Sequence, residues 1–243
     1  MTAQSPDPAK DRGRGFFITA SGTGDGKTLI ACALGFQLQK KGFRVRTLKP
    51  VISGYGPDDM DTSDSGLILQ SLGIAVDADA IAGISPWRYA AAIAPNMAAK
   101  REGGAIDLVA LAGFCRDGLA GGHDITLIEG VGGVAAPIND DATVADWMAM
   151  VGLPAVVVVG SYLGAISHGL TAVAVLEARS IAIAGIVVNQ SADNPVPFAE
   201  TVACFRRFLP GRPLVAVPRL EDGPRSWQRV PDLTETLVLS AVA

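Results

Sequence analysis

Six short apolar runs punctuate the chain: GFFITA (15–20), FRVRTLKPV (43–51), DITLIEG (124–130), PAVVVVG (154–160), IAGIVVN (183–189) and PLVAV (213–217). Their apolar residues are continuous rather than alternating, the mark of strands covered on both faces, as in a parallel sheet. The intervals between them are long enough for crossover helices. The predicted fold is therefore α/β, a doubly wound, mostly parallel sheet with helices on both faces. After the first run a helix is predicted to open at Gly26-Lys27-Thr28. It would set Leu29, Ile30, Ala33, Leu34 and Leu38 largely on one face, with Lys40, Lys41 and Gly42 as its stop. Pro50 is out of place inside a central strand, so the second strand should end there and the chain bend. Two stretches, 53–63 and 130–142, read as loops. In open parallel sheets ligands sit at the carboxyl ends of strands, where both loops would lie.

Length and composition narrow the choices. A chain of 243 residues, 49% of them hydrophobic, can bury a substantial core. No repeat, heptad run or low-complexity block divides it, so residues 15–243 are expected to form one domain behind a disordered leader, 1–14. A net charge of −4 gives no reason to expect nucleic acid or an anionic membrane surface as partner. The longest apolar stretch, LPAVVVVG, has the length of a buried strand and is too short to cross a bilayer. Cys32, Cys115 and Cys204 are scattered and only two histidines are present, so a zinc site is not expected. The cysteines read as small core residues in a reducing compartment, which points to the cytoplasm.

The first strand-to-helix junction carries the chemistry. The stretch ASGTGDGKT (20–28) looks like a phosphate-binding loop, yet the strict G-x-x-x-x-G-K-[ST] pattern wants glycine where Ser21 stands. A glycine-rich turn opening a helix aims backbone N–H groups and the positive helix end at an anion. Lys27 would then reach the outer phosphates and the Thr28 hydroxyl would coordinate Mg²⁺. The second strand ends at Lys49; lying next to the phosphate loop in the sheet, it would add a second cation there. Glu129, ending ITLIEG, is either a metal ligand or a helix N-cap. Asp64 in TSDS is a second candidate carboxylate, although S/T-x-D-S is also an ordinary helix start. Asp58, Asp59 and Asp61 read equally well as solvated loop charges.

These residues resemble dethiobiotin synthetases. That family's loop, close to G-T-D-T-x-V-G-K-T, is one residue longer than the strict pattern, and in that register Ala20 to Thr28 align without a defect at Ser21. Further markers follow in order: K-P-V-x-S-G at Lys49–Gly54, S-D at Ser63-Asp64, E-G-x-G-G at Glu129–Gly133 and A-D-W at Ala145–Trp147. Beyond them come L-P-x-x-x-V-x-G at 153–160, L-G-x-I-x-H at 163–168, a strand ending in Asn189, and V-P-x-L at 217–220. The match spans about Phe16 to Leu220.

The resemblance implies an ATP- and Mg²⁺-dependent cyclo-ligase acting on 7,8-diaminononanoate and CO₂ (or bicarbonate). An amine captures CO₂ as a carbamate, ATP converts it to a mixed anhydride, and the second amine closes the ring to dethiobiotin. It implies catalytic roles for Lys27 and Lys49 and metal ligation by Thr28, Asp64 and Glu129. It implies nucleotide contacts from Gly24, Asp25, Gly26, Lys27, Thr28, Leu29, Asp64, Glu129, Gly130, Val131, Gly132, Asn189, Gln190, Pro218, Arg219 and Leu220. Ser53, Lys49, Ala165 and Ser167 would bind substrate, the last two across a homodimer interface. Asn189 would read the base edge. Base preference stays open, and residues 221–243 receive no role beyond packing over the nucleotide.

Several positions depart from the family: Gly24 where Glu is frequent, Asp25 where Val is, Ala94 and Asn96 in a Ser-Pro-His segment, and Ser167 where Asn is frequent. Asp25 would repel phosphates unless it points away or meets a cation. Three rivals share the phosphate loop. A partition-type switch ATPase would carry a signature lysine at the position of Gly22, and a cobyrinic-type amidotransferase would need an appended glutaminase domain. A nucleotide-binding paralogue that has lost catalysis rests only on Gly24, Asn96 and Ser167.

Overall fold

The computed structural model describes residues 14–221 and 223–239. The proposed leader lies outside them, except that Arg14 already begins the first strand. Among the described residues, strands β1 (Arg14–Ala20), β2 (Val45–Leu48), β5 (Ile125–Glu129), β6 (Ala155–Val159), β7 (Ile183–Asn189) and β8 (Leu214–Val217) form one parallel sheet in the order β2-β5-β1-β6-β7-β8. All six predicted strands are present. Every residue of β5 and β6 is buried, as their continuous apolar sequences require. Two short strands had no counterpart in the sequence reading: β3 (Val51–Ser53) and β4 (Trp87–Tyr89) pair in a separate parallel ribbon. With three residues each, they are too short to show a hydrophobic period.

The strand order corrects one expectation. β2 does not lie beside β1, because β5 inserts between them. Lys49 still reaches the site, since the β2–β5 register aligns Leu48 with Ile128 and so carries Lys49 alongside Glu129. The second strand does end before Pro50, and the chain bends into β3. From the central strand β1 the sheet grows toward β2 on one side and toward β8 on the other. The phosphate loop thus leaves β1 at the topological switch point, where ligands bind in such sheets.

Helix α1 (Lys27–Lys40) begins and ends where predicted, with Gly42 in the left-handed region at φ 90°. Its expected single apolar face is too narrow a description. Ala31, Cys32 and Gly35 are buried as well, because α2 (Asp64–Ser71) packs on one flank and the 3₁₀ turn Ser226–Arg229 on the other. Leu29 is only half-buried. The C-terminal segment is pinned to α1 by Gln37. Its side-chain amide donates to the carbonyls of Val230 (3.1 Å) and Pro231 (3.0 Å) and accepts from the Leu233 N–H (2.9 Å).

The remaining helices, α3 (Ala78–Ile84), α4 (Pro95–Arg101), α5 (Leu108–Ala120), α6 (Val144–Val151), α7 (Ala165–Ala178) and α8 (Phe198–Phe208), complete the layers. The A-D-W marker has a structural explanation here. Trp147 is fully buried and meets Phe17 of β1 edge-on, with ring centroids 4.8 Å apart. Asp146 reaches back across the first turn of α6 to accept from the Thr143 N–H (2.8 Å) and hydroxyl (2.6 Å), and it also meets Arg179. The Thr143 bonds, with Arg179 beside them, hold its carboxyl below the usual range. A carboxyl with a depressed folded-state pKa stabilises above its unfolded pKa and loses that contribution as pH falls. Asp146→Ala should therefore cost about 1 kcal/mol at neutral pH. In urea titrations the deficit should hold from pH 7 to about pH 5 and shrink as pH falls below that; a deficit independent of pH would assign the loss to packing instead.

Candidate functional site

Gly24 and Gly26 turn the loop after β1 with φ of 84° and 97°, values open to glycine at little cost. Gly26 is the N-cap of α1 and offers no side-chain cap, so the first-turn N–H groups are left to an anion. Lys27 is the first helical residue and is buried, its ammonium donating to the Gly22 carbonyl at 2.9 Å. Burial pulls its pKa down to about 8; the neighbouring charge of Lys49 adds to that, while Glu129, Asp25 and Asp64 pull the other way.

Three strand and helix ends converge behind the loop. Lys49 is 2% exposed and Glu129 is fully buried; their ammonium and carboxylate lie 2.6 Å apart. The Lys49 ammonium also donates to the Gly130 carbonyl (2.8 Å) and meets Asp64 at 3.2 Å. Burial works against the Lys49 ammonium, but the two carboxylates outweigh it and hold its pKa above the ordinary value. Burial pushes the Glu129 carboxyl up, with Lys49 opposing. Asp64, though also penalised by burial, is held below its ordinary value by Lys49 and the Thr28 hydroxyl. Lys49 lines the cavity at the loop and is turned away from bulk water.

Asp64 illustrates how the two readings of TSDS coexist on different residues. Ser63 is the N-cap of α2, accepting from the Gly66 N–H at 3.1 Å, which is the ordinary helix start. Asp64, the first helical residue, turns toward Thr28. The Thr28 hydroxyl stands 2.8 Å from Asp64 Oδ1 and 2.9 Å from Glu129 Oε1, so its single proton serves one carboxylate at a time. Glu129 Oε2 is buried with no partner among the described residues. An oxygen-only set of hydroxyl and two carboxylates, one with an unspent buried oxygen, fits a hard divalent cation of the Mg²⁺ kind. Asp58, Asp59 and Asp61 are exposed and take no part.

A cavity of about 520 Å³ opens in front of these groups. Gly24, Gly26, Lys27, Thr28, Lys49, Ser53, Asp64, Glu129, Val131 and Gly132 line it, all named from the sequence. Gly130 lies behind, as the acceptor for Lys49. The Ser53 hydroxyl is buried and without a partner among the described residues. The sequence reading missed the apolar wall of Ile52, Ala92, Ile93 and Pro95. The β3–β4 pairing brings it in, with the Gly54 N–H donating to the Ala91 carbonyl at 3.2 Å. Ala94 lines the cavity; Asn96 does not.

A second cavity of about 190 Å³ is lined by Leu29, Asn189, Gln190, Arg219 and Leu220, with Glu221 and residues 223 and 226 at its rim. The Gln190 side-chain oxygen accepts from the Arg219 N–H at 3.0 Å, joining the ends of β7 and β8. Pro218 is exposed at the start of that turn. Asn189 lines this cavity, but its amide nitrogen donates to the Asp25 carbonyl at 2.9 Å, so part of its capacity goes to bracing the phosphate loop. Ala165 and Ser167 sit in the first turn of α7 and line neither cavity; Ala165 is buried and Ser167 exposed. Cys32 and Cys115 are buried thiols, the latter pushed up to about 12 by desolvation, so neither is a nucleophile.

An AAA domain family matches residues 14–224. ATP-dependent dethiobiotin synthetase BioD of Phenylobacterium zucineum is 43% identical over 91% of this chain and 94% of that protein. The enzyme of the same name from Acidiphilium cryptum is 43% identical over 82% and 89% respectively. The chain belongs to the ATP-dependent dethiobiotin synthetase family. The sheet and loop are shared more widely: a ParA family ATPase from Chlorobium tepidum superposes with a TM-score of 0.53 over 94% of this chain and 98% of that one, at 16% identity. That likeness shows the P-loop fold alone. The switch-ATPase alternative shares the fold, and the dethiobiotin synthetase relatives do not favour it.

Proposed function

We propose that the chain is an ATP-dependent ligase that closes the ureido ring of dethiobiotin from 7,8-diaminononanoate and CO₂. The observation that carries the reading is the placement of two buried lysines and a serine hydroxyl without a partner among the described residues around one cavity at the phosphate loop. Both the carbamate and the transferring phosphoryl group are anions, and bringing them together requires fixed cations. A substrate amine adds to CO₂, losing a proton to give the carbamate. The carbamate oxygen attacks the γ-phosphorus, breaking its bond to ADP. The second amine then attacks the carbamoyl carbon, forming the second C–N bond and expelling phosphate.

In this scheme Lys27 and the loop N–H groups, including those of Asp25 and Thr28, hold the triphosphate. Lys49 neutralises the carbamate and phosphoryl oxygens as they approach. The Ser53 hydroxyl, otherwise unsatisfied, binds the carbamate or an amine. Mg²⁺, held by Thr28, Asp64 and Glu129, would neutralise phosphate charge. The base would enter the cavity beside Leu29 and Asn189 and be covered by Pro218–Leu220. A homodimer belongs to the proposal, since Ala165 and Ser167 line neither cavity of their own chain and the neighbouring Leu163 is 83% exposed. Three free cysteines support a reducing, cytoplasmic setting. No helix among the described residues is long and apolar enough to cross a membrane.

The test is product mass after incubation with ATP, Mg²⁺, bicarbonate and 7,8-diaminononanoate. Dethiobiotin should form, and phosphate release should require the diamine and bicarbonate together. ATP hydrolysis indifferent to the diamine would favour a switch ATPase.

A further inference from the structure

Asp25 is the acidic residue of the phosphate loop, and the reaction gives its side chain no task. The structure turns that side chain away from the cavity. It is 3% exposed, and its Oδ2 accepts from the Ser21 hydroxyl (2.6 Å) and from the Gly22 N–H (2.7 Å), both in its own loop. On the other side its carbonyl takes the Asn189 amide at 2.9 Å. Beside the loop, the Tyr162 hydroxyl lies 3.0 Å from Nδ1 of His168 in α7. A Cβ placed on Gly22 would lie 3.8 Å from both Asp25 Oδ2 and Tyr162 Oη, so the two groups converge on one loop residue. Ser161 and Ser191 exchange backbone-to-hydroxyl bonds of 2.9 and 2.8 Å, fixing the segment that carries Tyr162 to the end of β7.

The order of donors follows from valence. A carboxylate only accepts, and each hydroxyl has one proton to give. Ser21 spends its proton on Asp25 and the Gly22 N–H gives its own to the same oxygen, so the carboxylate holds two loop donors from beneath.

We propose that Asp25 is a positioning residue that holds the phosphate loop from beneath in its anion-binding shape through the Ser21 hydroxyl and the Gly22 N–H. The inference rests on the nucleotide reading of this loop. It explains how a carboxylate is tolerated beside phosphates: its negative end faces loop donors, and the N–H groups it does not use are presented to the ligand.

The experiment is calorimetric titration of the full chain with a non-hydrolysable ATP analogue and Mg²⁺, beside thermal melts and steady-state kinetics. Asp25→Ala should weaken binding about 10- to 100-fold, as expected for loss of a charge-assisted hydrogen bond at the loop. Asp25→Asn, which keeps an acceptor of the same size, should lose less. In kinetics the KM for ATP should rise by more than kcat falls. Ser21→Ala should weaken binding by less than Asp25→Ala and add nothing in the Asp25→Ala background. A lowered melting temperature with unchanged nucleotide affinity would overturn the proposal, leaving a purely structural carboxylate. Tighter binding in Asp25→Ala or Asp25→Asn would overturn it too, by showing net repulsion. Additive effects of the two substitutions would sever the link through Ser21. Wild-type protein that binds the analogue but forms no dethiobiotin would sink the ligase reading and leave this one standing.

Discussion

Lys49→Ala is expected to lower dethiobiotin formation by on the order of 10³-fold, the scale set by removing a preorganised charge from a developing anion. Nucleotide affinity should change little, because the loop N–H groups and Lys27 remain. That split follows from position. Lys27 is part of the loop that grips the triphosphate, whereas Lys49 comes from the end of β2, just ahead of the short strand that carries Ser53. An interaction made only as the carbamate meets the phosphoryl group is lost from kcat rather than from nucleotide binding. The substitution also leaves Glu129 fully buried without its counter-ion, a change that costs about 3–5 kcal/mol when one partner of a buried pair is removed. Kinetics must therefore be run where a melt shows the variant folded. Near-normal turnover there would remove Lys49 from the assigned role.

The main sheet was legible because its strands are covered on both faces, and such strands announce themselves as unbroken apolar runs. β6 is the clearest case: AVVVV is buried at every position. The α1 boundaries were legible through Gly26 at one end and Gly42 at the other. What the sequence did not reveal is pairing. Nothing in FRVRTLKPV or DITLIEG says that β5 inserts between β1 and β2, which is what joins Lys49 to Glu129. Strand order is set by which crossover packs best over the whole sheet, and no local pattern encodes it. The β3–β4 ribbon escaped for a related reason: three-residue strands have no period, and Pro50 and Pro86 flank them.

The site residues were named largely through resemblance, and the structure supplied their directions. Asp64 was ambiguous between ligand and helix start until Ser63 proved to be the cap. The sequence raised the charge at Asp25 as a difficulty, but its resolution depends on the direction of the side chain, which turns to the Ser21 hydroxyl and the Gly22 N–H. Side-chain orientation of this kind depends on partners that only the folded chain brings together. The same holds for Asn189, whose amide braces the loop carbonyl as well as lining the base-side cavity.

Glu129→Gln should reduce turnover by about 10²- to 10³-fold and raise the Mg²⁺ concentration needed for half-maximal activity. The substitution keeps the shape and one acceptor while removing the charge that both faces the metal ligands and pairs with Lys49. Stability should fall less than in Lys49→Ala, since Lys49 keeps Asp64 at 3.2 Å and the Gly130 carbonyl at 2.8 Å. The double variant Lys49→Ala/Glu129→Gln separates structure from chemistry. With the buried Glu129 charge no longer left without its counter-ion, it should be more stable than Lys49→Ala alone, as expected for groups 2.6 Å apart that act as a pair. Its activity should not recover, because neither the cation nor the carboxylate is restored. If denaturant titrations place the double variant below Lys49→Ala, the pair is not what holds this end of the sheet together. Activity regained with stability would mean that both residues serve the fold and that neither meets the reacting phosphate.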